Sequence, residues 1–182
     1  LTDRVTGAEN AVMSHPASSL PLEDRVAYLR AIAALVCADG GIAAQELDAV
    51  HALATTLDVD RAALDVDDFA RHPDAGLVEA ALSRAQGLYL GHALLTDATA
   101  IALADGAVKP EESAALAHYA QRLGIPVGAA GVVVRYVASV RGGADADELS
   151  HALVVGLGAA DRVQSPGVLR TLWDRLTRGA QT

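Results

Sequence analysis

The chain states one stretch twice, and this repeat limits its fold more than any other feature. Residues 29–60 align without a gap on residues 95–126 at a shift of 66 positions. Leu29, Ala34, Ala38, Asp39, Gly40, Glu46, Ala49, Ala54 and Leu57 meet identical residues at Leu95, Ala100, Ala104, Asp105, Gly106, Glu112, Ala115, Ala120 and Leu123. Apolar positions match in kind: Leu35 with Ile101, Ile42 with Val108, Val50 with Leu116, Val59 with Ile125. An internal repeat confines the fold to architectures that build one unit twice.

Each copy reads as a helix, a tight turn and a second helix. Tyr28, Leu29, Ile32, Leu35 and Val36 recur at helical spacing, and Leu94, Leu95, Ala98, Ile101 and Ala102 repeat the stripe. Gly40 and Gly106 stand just past the first helix, where the chain favours a residue that tolerates positive φ. The second helix begins near Ala43 and Lys109, and Pro110 suits a first helical position. Glu46 and Glu112 fall near the third position as the acidic half of a capping box.

Asp39 and Asp105 follow the apolar stripe and so face inward at the negative end of a helix. A carboxylate there costs about 0.3–1 kcal/mol unless something compensates it. Amides of the following turn would do so, and so would a cation. The spacing from Asp39 to Glu46, and from Asp105 to Glu112, also matches the second half of an EF-hand calcium loop. That loop needs oxygen ligands two and four residues before the Asp. Cys37 and Leu35, then Leu103 and Ile101, occupy those places, so an EF-hand is excluded.

The Ala38-Asp39-Gly40 triplet with Ile42 and Glu46, and Ala104-Asp105-Gly106 with Val108 and Glu112, resemble the motif of the TerB-like family, named for bacterial tellurite resistance. The resemblance runs from about residue 22 to residue 140. It implies an all-helical domain with internal pseudo-symmetry and a stress-response role. It also implies metal binding through acidic residues, which here are Asp39, Glu46, Asp105 and Glu112. Ala43 departs from a strong turn, because Ser or Thr there would cap better.

Composition narrows the partners. Apolar residues make up 52% of the chain but aromatics only 3%, a balance that suits closely packed helices rather than broad sheets. A net charge of −9 argues against nucleic acid and anionic membrane surfaces and favours cations and basic proteins. Cys37 is the only cysteine, which excludes a disulfide framework and a thiolate cluster; it is expected to pack as a small apolar side chain. No apolar run approaches the roughly 20 residues of a membrane span. No signal peptide is visible, so the expected location is cytoplasmic, although the chain opens at Leu1 rather than Met.

Outside the copies the reading is coarser. Val5, Ala8, Val12 and Met13 form one helical face ending before His15-Pro16. A short helix from 61 to 71, capped by Asp60, accounts for the acidic segment that follows the first copy. Residues 76–90 form another helix, with a break or close contact at Gly87, Gly91 and His92. The Val-Val-Val run within 128–140 has strand propensity but no pairing partner, so it is read as a buried helix ending at Gly142-Gly143. Asp145 and Glu148 form a capping box, and Ser165-Pro166 opens a last helix with Trp173 inward. Shifting the second copy by 56 places Asp105 on Asp161 and Leu116 on Leu172, as a worn third copy over 151–178 would, but Gly106 and Glu112 fall on Arg162 and Val168, so the alignment leaves a third copy open.

The expectation is a single all-α domain over 1–182: a bundle of about eight helices with a pseudo-two-fold repeat of the helix-turn-helix unit. Catalytic constellations are thin. The six histidines form no metal-binding pair on one helix, and no nucleophile turn or phosphate loop exists. Asp97, two turns before Asp105, is read as an exposed or capping residue or as a further member of an acidic cluster. Two functions remain open. One is a non-enzymatic domain holding calcium, magnesium or manganese through Asp39, Glu46, Asp105 and Glu112. The other is a metal-free acidic helical module that docks a protein partner or a second copy of the chain.

Overall fold

Alanine-rich stretches with apolar residues at helical spacing fold here as a set of closely packed helices. A computed structural model describes residues 15–66, 69 and 72–142. Among them, a 3₁₀ turn over Pro16–Ser19 leads into α1 (Leu22–Val36), α2 (Ala44–Thr56) and the short α3 (Arg61–Leu64). Then come α4 (Ala75–Gly87), α5 (Gly91–Ala102), α6 (Pro110–Arg122) and α7 (Val127–Arg141). No strand occurs among the described residues, so the fold is all-α, with seven α-helices where about eight are expected. The N-terminal apolar face, Gly143, the Asp145–Glu148 capping box, the Ser165-Pro166 helix with Trp173 and the third copy over 151–178 lie outside the described residues.

The repeat is visible in the packing. α1 packs on α2, and α5 packs on α6; α1 also meets α5, α1 meets α6, and α2 meets α5. Exchanging the two copies leaves this set of contacts unchanged. α3 lies against α1 and α2, and α7 lies against α5 and α6, so α7 holds in the second copy the place of α3 in the first. Ala31, Ala33, Ala49, Ala54, Ala98, Ala100, Ala102 and Ala120 are all buried, and their small side chains let the helix backbones approach closely. Tyr119 ties the copies together by donating from its hydroxyl to the carbonyl oxygen of Ala31 at 2.8 Å.

Both second helices end the same way. Asp58 (φ 53°) and Gly124 (φ 70°) take the left-handed conformation. The amides of Val59 and Ile125 then reach back to the carbonyls of Ala54 and Ala120 at 2.9 and 2.8 Å. Tyr89 (φ 59°) makes the same kind of stop after α4. The break expected around Gly87 and Gly91 is therefore made at a tyrosine. Gly91 serves a close contact instead, since a Cβ there would sit 3.2 Å from the Cβ of Leu123.

Two expectations are corrected. The helix read over 61–71 is interrupted after Leu64, because Asp65 turns to φ 41°, and Val66 and Phe69 beyond it are helical again; its cap is as expected, with Asp60 accepting from the Ala62 amide. Asp97 is neither exposed nor a cap. From Gly91 to Ala102 only His92 escapes full burial, so α5 has no outward face to carry it. The Asp97 carboxylate accepts from the Tyr28 hydroxyl at 2.6 Å and lies 2.8 Å from Nε2 of His15. The Ala17 amide donates to Nδ1 of His15, which leaves Nε2 to carry the proton facing Asp97.

Candidate cation site

The turn that links the two helices of each copy is built by the repeated residues. Gly40 (φ 95°) and Gly106 (φ 124°) reverse the chain after α1 and α5. Asp39 accepts from the Gly41 amide at 3.2 Å, and Asp105 accepts from the Ala107 amide at 3.3 Å. The amides of Ala43 and Lys109 donate to Oε2 of Glu46 and Glu112 at 2.7 and 2.8 Å. Neither Ala43 nor Lys109 carries a side-chain acceptor, so at each helix start the glutamate alone supplies the cap.

The packing of copy against copy brings the two turns together, and all four carboxylates converge on one atom. Nζ of Lys109 lies 2.8 Å from Asp39, 3.6 Å from Asp105, 3.7 Å from Glu46 and 3.8 Å from Glu112. The aspartates line the mouth, with side chains about one-fifth exposed. The glutamates form the floor and are fully buried. Each glutamate uses Oε2 for its helix start; Oε1 of each faces the ammonium, is buried and, apart from the other glutamate, has no hydrogen-bond partner. Buried polar atoms without partners are uncommon and costly.

The electrostatics follow this geometry. The hydrogen bond from Lys109 holds Asp39 below the usual carboxylate range. Burial pushes the Glu46 carboxyl up to about 7; the Ala43 amide and Lys109 oppose this, and Glu112 adds to it. The hydrogen bond with Asp39, then the other carboxylates, hold the Lys109 ammonium firmly protonated. Cys37 lies beside the site, buried and free, and burial with the nearby Glu46, Asp39 and Glu112 pushes its thiol up to about 11. A thiol in that state is a poor nucleophile near neutrality.

Both compensations foreseen for Asp39 and Asp105, turn amides and a cation, are therefore present, but the cation belongs to the chain. Lys109 is the single lysine of the sequence and stands opposite Ala43 in the alignment of the copies. It breaks the repeat at the point where the two turns meet. Its rarity and its mismatch with Ala43 are both readable in the sequence, although neither says that the two turns face each other.

As a metal site, the donor set fits a hard cation in chemistry, with four carboxylates and two buried oxygens lacking hydrogen bonds. In spacing it is set for an ammonium. Calcium takes oxygen ligands at about 2.3–2.6 Å, so the carboxylates would have to close inward. Among the described residues no group of three or more His, Cys, Asp or Glu is arranged to hold a metal as it stands. No helix of the described residues is long and apolar enough to cross a membrane. Comparison with protein-family models, curated proteins and solved structures finds no match to this chain.

Proposed function

We propose that this chain is a non-catalytic helical module whose four-carboxylate cluster binds a hard divalent cation: calcium, magnesium or manganese. One observation carries the reading. Two fully buried glutamate oxygens, one from each copy, face a common point and, apart from each other, have no hydrogen-bond partner there. Together with Asp39 and Asp105 they gather four carboxyl groups around a single ammonium. Like charges at this separation repel unless protonated or offset by a cation. A role in stress response rests on the resemblance of both Ala-Asp-Gly motifs to TerB-like proteins.

The second reading is an acidic docking module without metal, and Lys109 itself favours it, since the chain already supplies a cation. Thermal melts of chelator-stripped protein separate the two. A ligand that binds only the folded state adds RT ln(1 + [L]/Kd), about 2.7 kcal/mol at one hundred times Kd. Under the cation reading, millimolar calcium, magnesium or manganese raises the Tm, and Asp39→Asn with Asp105→Asn abolishes the rise. An unchanged Tm with all three ions would favour the docking module.

A further inference from the structure

Lys109 is placed as a competitor for the site it neutralises. Its backbone amide is held by Oε2 of Glu112, independently of its side chain, which is one-third exposed. The side chain can therefore leave for solvent while the start of α6 stays capped. Oε1 of Glu46 and of Glu112, by contrast, are buried and face this point on carboxylates whose Oε2 atoms are tied to the two helix starts. An ammonium and a divalent ion within the same ring of oxygens would repel each other strongly, so the ring holds one or the other. We propose that Lys109 is a tethered counter-ion that a divalent cation must displace, so that cation binding and release of this side chain to solvent are one event. The proposal rests on the cation reading above.

The rest of the chain makes the test specific. Because Lys109 is the single lysine of the sequence, acylation of an ε-amine reports on this side chain alone, with the α-amine as internal control. The experiment follows acetylation of Lys109 by peptide mass spectrometry in stripped wild-type protein, with and without manganese, calcium or magnesium, while calorimetry measures binding of the same ions. The expected result is slow acetylation without ion and an increase of about ten-fold at saturation, with the α-amine unchanged. In parallel, Lys109→Met, which removes the competitor, is expected to bind the same ion about ten-fold more tightly. An ion that binds wild type but leaves Lys109 acetylation unchanged would overturn the displacement and leave the cation site standing. Weaker binding by Lys109→Met would overturn it too, by making the lysine a helper. Failure of all three ions to bind either protein would overturn both readings. If Lys109→Met does not fold, the acetylation experiment on wild type still decides.

Discussion

Gly40 and Gly106 turn the chain because their backbone lies at φ 95° and 124°, where a β-branched residue is strained. A Cβ at either position meets nothing within 4 Å, so the cost of substitution there is conformational rather than steric. Gly40→Val and Gly106→Val are each expected to lose about 1–2 kcal/mol, read as a fall in denaturation midpoint. Unchanged midpoints would show that the turns do not need this conformation. Glu46 acts differently, through its proton. In the unfolded chain it titrates near 4.5, and in the folded chain burial pushes it up to about 7. Between those values the folded protein keeps a proton that the unfolded chain has lost. Its contribution to stability is therefore fully present below the lower value and is lost as pH rises through the upper one. The slope approaches about 1.4 kcal/mol per pH unit at most. Gln at position 46 can still accept from the Ala43 amide, so Glu46→Gln is expected to flatten this slope without removing the cap. Equal slopes in wild type and variant, from denaturant titrations between about pH 5 and 8, would contradict the assignment.

Among elements, α5 shows where sequence periodicity stops being informative. A helix with one buried face shows an apolar stripe, and α1 is read correctly from its own. α5 is enclosed by α1, α2, α4, α6 and α7, so every side of it faces protein and its polar residues carry no sign of exposure. Asp97 is misread for that reason. Its partners, His15 and Tyr28, lie 82 and 69 residues away, beyond any local pattern. Its role is to tie the turn before α1, and α1 itself, to the middle of α5. Asp97→Ala would deprive both partners of this buried acceptor and is expected to destabilise by about 3 kcal/mol. A loss below about 1 kcal/mol in denaturant unfolding would mean that the network contributes little. Local chemistry misleads at α3 as well, where a helical pattern continues past Leu64 but Asp65 takes the left-handed conformation that short acidic side chains tolerate.

Over the whole molecule, duplication explains both what the sequence reveals of the site and what it hides. Asp39 and Asp105, Glu46 and Glu112 are found as pairs because each motif is repeated at one spacing. Their turn and cap roles follow from local rules. The convergence of the two pairs depends on how α1 and α2 pack against α5 and α6, which no local rule gives. Lys109, unmatched in the first copy, reads in sequence as a rare residue at a helix start, with nothing to join it to the other turn. Folding puts it at the one point shared by both turns. Manganese reports whether a cation binds at this point, because free and bound ion differ in electron paramagnetic resonance. Titrating manganese into chelator-stripped protein is expected to show one ion taken up per chain, with uptake lost in Asp39→Asn with Asp105→Asn. Undiminished free-ion signal up to millimolar manganese would show that the four carboxylates hold no cation besides Lys109.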